Sequence, residues 1–363
     1  MKTIHIHFTR RILFDIIISI FVLENFMSLM MQELFEAPAV VKNAIDNCTP
    51  VAKEIASTVK ARNIKRVILA GRGSSLHAGI AFKFFLETTT PYVLSFEYPS
   101  MVTSFSAVRD LTDSLYIVVS QSGAGPDTIA FAEKAKNQGA LTVACTNYPD
   151  SKLASICHYT LPVSAGEEKA VAATKTLTGE IVALQCLADA LGGKETKYDI
   201  DRLNAILHTP MPSFDKSFLD TEHAVCLSRG MTEAVAKECG LKLTETSYIF
   251  SFASSTNEFQ HGPKALVSEG LPIILFAPNG RNCDNYISVA RNLAEKGAKL
   301  VALTDIDEVK AVATTVIDMP SIPENEQTIC YLVAMQRMVA TYCEARGFDP
   351  DNPRNLNKVT ITN

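Results

Sequence analysis

Lys65–Phe82, "KRVILAGRGSSLHAGIAF", and His223–Gly240, "HAVCLSRGMTEAVAKECG", carry one pattern twice: a β-branched apolar run, a turn holding glycine, then an amphipathic stretch. Each reads as strand, turn and helix. A second pair, "KAKNQGALTVACTN" (134–147) and "NLAEKGAKLVALTD" (292–305), repeats the relation. Val67 and Val225 are 158 positions apart, and so are Gly139 and Gly297. An offset shared by two separated segments predicts duplicated α/β domains.

Working outward, strands are expected at "RVILAG" (66–71), "YVLSFEY" (92–98), "SLYIVVS" (114–120) and "LTVACTN" (141–147). The helical patterns "SLHAGIAFKFFLET" and "DTIAFAEKAKNQG" separate them, the second closed by Gly139 in the C-cap position. Strand, helix, strand at this spacing gives a parallel sheet with helices on both faces. The proline-marked "HTPMPSF" (208–214) is the natural linker. The predicted organisation is an extension with a lead-in helix, "MQELFEAPAVVKNAIDN", over 1–46; a first domain over 47–207; a second over 208–345; and a tail over 346–363. At this length each domain is expected to bury its own core. By composition alone the polar, proline-interrupted tail reads as a disordered end.

The chain has 363 residues, with 34 basic and 39 acidic, for a formal net charge of −5 and no Lys/Arg block. That balance argues against nucleic acid and for a small-molecule protein. Nine cysteines, odd in number and without a CxxC pair, read as reduced core thiols of a cytoplasmic protein. Arg10-Arg11 before "ILFDIIISIFVL" looks like the start of a signal peptide. Against that, the run holds Asp15, has no small-x-small cleavage site and falls short of the roughly 20 apolar residues of a membrane span. The preferred reading is an upstream extension, with Met27, Met30 or Met31 opening the working protein and no membrane partner.

Two loops could hold an anion. "AGRGSSLHAG" follows a strand and opens a helix, so backbone N–H groups and a helix N-terminus converge there. It also fits a tight turn capped by Ser74 or Ser75. A partial dinucleotide fingerprint is a further reading, with Glu97 as ribose acid, although Leu76 stands near the third glycine's place. Ser120, Gln121 and Ser122 end the third strand, on the edge where doubly wound sheets bind ligands. Their neutral donors suit a phosphate of moderate affinity. "AVAATK" before the long helix reads as an ordinary N-cap at Thr174.

Lys242 and Glu245, three apart, share a helix face and form a usable acid/base pair. On spacing alone the preferred reading is a solvated surface ladder, with Glu238 and Lys242 at i,i+4. His261 precedes Gly262-Pro263, which would present the ring from a rigid turn. Lys358 is by default a mobile surface charge. No His, Cys, Asp or Glu set has metal spacing, and no metal or cofactor is expected.

Six segments in order, "GRGSS", "SQSG", "AVAATK", "ECGLKLTETSYI", "NEFQHGP" and "PRNLNKVT", resemble the double sugar-isomerase (SIS) domain family. The resemblance runs from about Met31 to the C-terminus, to the isomerase half of glucosamine-6-phosphate synthases and to stand-alone deaminases and deglycases. It implies an α/β fold of two tandem SIS domains, each an αβα sandwich. It also implies a sugar 6-phosphate held at Gly73, Ser74, Ser75, Ser120, Gln121, Ser122 and Gly125, with the backbone near Val171 beside the sugar. Glu245 would shuttle a proton between C1 and C2, with Lys242 handling the neighbouring oxygen's proton. His261 would open the pyranose ring across a homodimer interface. Lys358 matches the lysine that forms an imine with the ketose in the synthase.

Two positions depart from the synthase pattern: Gly125 replaces a threonine that touches phosphate, and Thr244 replaces a lysine beside the glutamate. Both fit a stand-alone relative. No glutaminase cysteine or domain is read in the chain, so the catabolic direction is expected: glucosamine 6-phosphate to fructose 6-phosphate and ammonia. A glutaminase-less synthase, a fructosamine-6-phosphate deglycase and a phosphosugar-sensing regulator are the alternatives, with a nicotinamide dehydrogenase more remote.

Overall fold

The computed structural model describes residues 27–358. The Arg10-Arg11 segment and the apolar run after it lie outside the described residues. No helix of the described residues is long and apolar enough to cross a membrane.

The chain opens with α1 (Leu29–Phe35) and α2 (Ala37–Ala61), then runs β1 (Arg66–Ala70), α3 (Ser74–Thr89), β2 (Val93–Phe96), α4 (Pro99–Thr103) and β3 (Ser114–Val119). It continues with α5 (Pro126–Asn137), β4 (Leu141–Thr146), α6 (Lys152–Ile156), β5 (Tyr159–Pro162), α7 (Lys175–Leu191) and α8 (Ile200–His208). The second half holds α9 (Lys216–Leu219), β6 (His223–Ser228), α10 (Glu233–Ser247), β7 (Phe250–Ser255), α11 (Thr256–Gln260) and β8 (Pro272–Ala277). It ends with α12 (Cys283–Glu295), β9 (Lys299–Thr304), α13 (Asp307–Lys310), β10 (Thr315–Asp318) and α14 (Glu324–Ala345).

Both sheets are five-stranded and parallel, ordered β2-β1-β3-β4-β5 and β10-β9-β8-β6-β7. Read from the other edge, the second order equals the first shifted by five strands. Val67 lies in β1 and Val225 in β6, while Gly139 and Gly297 follow α5 and α12 at φ +90° and +78°. The 158-residue offset is therefore a structural equivalence. The central strands β3, β4 and β8 are buried at every residue, as expected of strands covered on both faces. All nine cysteines are free thiols, and seven are fully buried.

Two sequence expectations change. The lead-in helix divides at Glu36, with Pro38 in the first turn of α2. α2 then runs unbroken through residue 46 to Ala61. Nor do the halves keep separate cores. One apolar cluster joins α2, α3 and α7 of the first half to α10 and α14 of the second, including Phe82, Leu184, Leu243 and Met338. Smaller clusters fill the outer faces. α7 is buried at 14 of its 17 residues, because α2, α3, α14 and the strands β4 and β5 pack around it in place of water. A shared core fixes one half against the other, which lets a site between them hold its geometry.

The tail is not a loose end as far as Lys358. The Asp351 carboxylate accepts the backbone N–H groups of Leu29 and Met30, both at 2.7 Å, at the start of α1. The Arg354 N–H donates to Tyr248 Oη at 3.1 Å, and its guanidinium lies 3.9 Å from the Tyr248 ring centre.

Candidate active site

β1 ends in the turn Gly71-Arg72-Gly73, and α3 begins at Ser74 with Gly73 as N-cap at φ +53°. No side chain caps the helix, contrary to the expected role of Ser74 or Ser75. Both hydroxyls instead donate to buried carboxylates: Ser74 to Glu238 at 2.8 Å, Ser75 to Glu180 at 2.9 Å. α5 likewise starts from an uncapped glycine, Gly125. Gly73 and Gly125 line one cleft, so the positive ends of two helices meet there.

The loop after β3 supplies donors. Ser120 Oγ accepts the Gly123 N–H at 3.2 Å and Ser122 Oγ the Ala124 N–H at 3.3 Å, which leaves each hydroxyl proton to be donated elsewhere. Gly123 sits at φ +58°, and a Cβ there would collide with Ser151. The cleft is about 380 Å³, and its walls include Gly73, Ser74, Ser75, Ser120, Gln121, Ser122, Gly125, Val171, Lys242, Glu245 and Lys358. Residues the sequence left unmarked join them. Thr128 is one, its Oγ1 donating to the Gly125 carbonyl at 2.8 Å; Arg72, ion-paired with Asp127, is another. Arg72 thus adds a cation beside the neutral donors expected of the two loops.

α10 comes from the second half and packs on α3 of the first. Glu238, Lys242 and Glu245 fall at i, i+4 and i+7, so one face of α10 delivers all three. This is not a solvated surface pair: Glu238 is 0 % and Lys242 1 % exposed. Lys242 Nζ lies 2.6 Å from Glu245 Oε2, 3.2 Å from Glu238 Oε1 and 3.3 Å from Ser74 Oγ. Burial opposes the charge on Lys242, but Glu238 and Glu245 prevail and push its pKa above that of an ordinary lysine. Burial likewise opposes the charge on Glu238, yet Lys242, His77 at 2.6 Å and Ser74 bring its pKa down to about 2. Lys242 is thus a fixed cation, with the partly exposed Glu245 at the cleft wall.

The opposite wall is a strap before α7. Thr174 holds the N-cap position but makes no side-chain cap; Glu168 does this work by accepting the N–H of Thr174 at 2.9 Å and of Thr176 at 3.0 Å. Glu33 of α1 accepts the N–H groups of Lys169 and Ala170, which fixes the segment that carries Val171. Lys358 Nζ meets Glu168 Oε2 at 2.5 Å and the Ala170 carbonyl at 2.8 Å. The expected mobile charge is an anchored one. Burial disfavours ionised Glu168, but Lys358 outweighs it and holds the carboxyl below the usual range.

His261 is the predicted residue that does not reach this cleft; it follows α11 and is exposed. Glu97 is also elsewhere, buried and bonded to Arg109 at 2.6 Å and to the Tyr116 hydroxyl at 3.0 Å, so no ribose acid is presented. Glu168, Glu180 and His77 escaped the sequence reading, and Glu238 was read as a surface partner of Lys242, because nothing local marks a buried carboxylate. The i, i+4, i+7 spacing on α10 was the one available signal.

Several known proteins are similar to this chain in sequence or fold. A glutamine–fructose-6-phosphate aminotransferase (isomerizing) from Pyrococcus horikoshii is 30 % identical over 351 residues, covering 92 % of this chain. The chain spans 57 % of that relative's length. A crystal structure described as a putative phosphosugar isomerase from Silicibacter pomeroyi superposes with a TM-score of 0.77 at 27 % identity, covering 90 % of this chain and all of the other. The C-terminal domain of glucosamine-fructose-6-phosphate aminotransferase from Francisella tularensis has the same fold, with a TM-score of 0.78 at 24 % identity over 91 % and 99 % of the two chains. The SIS domain model matches residues 60–190 and 217–342, one match per sheet, and the chain belongs to the SIS-domain family.

Proposed function

We propose that the protein is a phosphosugar aldose–ketose isomerase that acts on an aminosugar 6-phosphate, with glucosamine 6-phosphate deaminated to fructose 6-phosphate. One observation carries the reading: a single cleft holds two hydroxyl-bearing loops at helix N-termini and, from the other half, the Lys242–Glu245 pair. The loops bind the phosphate. Glu245 takes the C2 proton of the open-chain sugar and returns it to C1 through an enolamine, while the Lys242 ammonium stabilises charge that develops on the neighbouring oxygen. Water then hydrolyses the resulting imine at C2, releasing ammonia. Lys358 closes the wall opposite α10. In a homodimer, His261 of one copy would complete the other's cleft. Exposed Phe250 and Leu266, at 76 % and 55 %, lie on the chain segments that flank that histidine. A cytoplasmic location accords with the nine free thiols.

The test is to incubate the purified protein with glucosamine 6-phosphate and follow ammonia and ketose together. Both should appear in equal amounts. Failure of both, with cleavage of a fructosamine 6-phosphate, would transfer the assignment to a deglycase. A second reading, synthesis of glucosamine 6-phosphate from fructose 6-phosphate and an ammonia donor, is favoured by the named activity of the Pyrococcus relative. Supplying fructose 6-phosphate with ammonium ion measures that direction. Binding without turnover in every arm would leave a sensor.

A further inference from the structure

Three carboxylates surround the cleft floor, and they are not alike. Glu238 is paired with Lys242 and His77, and Glu168 with Lys358. Glu180, in the middle of α7 and 1 % exposed, has no ion-pair partner among the described residues; its hydrogen bond is to Ser75 Oγ, 2.9 Å away. Ser75 itself lines the cleft. Resting on the reading of this cleft as a phosphosugar site, we propose that Glu180 takes up one proton when the phosphate binds, and that this proton decides whether Ser75 can donate to the phosphate.

A serine hydroxyl has one proton to give. When Glu180 is ionised, Ser75 spends that proton on the carboxylate and offers the ligand only lone pairs. A buried negative charge then also stands directly behind a bound anion. When Glu180 is protonated, its O–H donates to Ser75 Oγ, and the serine proton is available to the phosphate. The phosphate and the ionised carboxylate therefore compete for one donor, so phosphate binding favours protonation of Glu180, and its ionisation weakens phosphate binding.

The surrounding groups place the titration in an accessible range. Burial pushes Glu180 up, Ser75 lowers it, Glu168 and Glu238 raise it, and Lys358 lowers it, with a net pKa of about 8. Cys145 on β4 also faces it, a thiol pushed well above its ordinary range by burial first and Glu180 second. Lys242 and His77 are both paired with Glu238. Glu238, at about 2, and Glu168, held low by Lys358, remain ionised while Glu180 changes state.

The experiment is calorimetric titration of the full chain with fructose 6-phosphate between pH 7 and 9.5, in two buffers of different ionisation enthalpy. Wild-type protein should take up close to one proton per ligand above pH 8, and its Kd should weaken towards about tenfold per pH unit. In Glu180→Gln the uptake and the slope should both vanish, because the amide donates at every pH. Wild-type binding without proton uptake overturns the inference, and that measurement needs no variant. A slope retained in Glu180→Gln overturns it as well. Absence of any binding at pH 7 overturns the phosphosugar reading and this inference with it, an outcome distinct from pH-independent binding.

Discussion

The loops after β1 and β6 stand at equivalent edges of two equivalent sheets, yet they end differently. In the first half, Thr128 sits at the cleft wall and the space beside it is about 380 Å³. The residue 158 positions on is Tyr286, whose hydroxyl donates to the Arg229 carbonyl at 2.8 Å and accepts the Arg229 N–H at 3.2 Å. The space behind that loop shrinks to about 10 Å³. A hollow of about 370 Å³ does open outside it, but Arg281 and Glu324 in its wall pair with each other at 2.9 Å. One side chain thus separates an edge that opens into a cleft from one that satisfies its own backbone. The second half contributes a helix face in place of a pocket: α10 carries Glu238, Lys242 and Glu245 across to the first.

Copying the difference should transfer its effect. Thr128→Tyr builds the second half's plug into the first, and fructose 6-phosphate affinity, measured by calorimetry, should fall at least about 100-fold, or 2.7 kcal/mol, with the unfolding transition retained. Unchanged affinity would mean that the phosphate binds elsewhere.

A second variant tests what holds the walls together. Glu168→Gln leaves Lys358 without its anion and weakens the N-terminus of α7, which should cost about 3 kcal/mol of stability in denaturant titration and expose the tail to protease. Equal resistance of the tail in variant and wild type would show that Asp351 and Arg354 are enough to hold it. The mildest test lies in the second half. Tyr286→Phe leaves the Arg229 N–H without its acceptor, at about 1 kcal/mol, and should leave sugar-phosphate affinity untouched.

The repeat was legible because strands and positive-φ glycines obey local rules; Val67 with Val225 and Gly139 with Gly297 fixed the offset. The shared core was not, since an amphipathic pattern shows that a face is buried without showing what covers it. Glu238 and Lys242 demonstrate the limit: i,i+4 spacing is the same on a wet face and a buried one, and only the packing of α10 on α3 distinguishes them. The tail was misjudged for a related reason. Its contacts join Asp351 to Leu29, more than 300 residues away, and composition contains no trace of such a bond. The spacing of Lys242 and Glu245 offered an acid/base pair without separating it from a surface ladder, and the roles expected of both came through resemblance to a family. The carboxylates that position their neighbours, Glu168 and Glu180, emerged only in three dimensions.

The central claim is that Glu245 moves a proton between C1 and C2 of a phosphosugar bound in the first-half cleft. Glucosamine 6-phosphate incubated with the protein in deuterated water, followed by NMR, tests it most directly. Wild-type protein should yield fructose 6-phosphate that carries the substrate's C2 hydrogen at C1, with deuterium there only in turnovers in which the Glu245 carboxyl exchanges with solvent before returning its proton, and Glu245→Gln should bind the sugar phosphate while losing about a thousandfold or more in turnover. Turnover in Glu245→Gln at the wild-type rate would contradict the account.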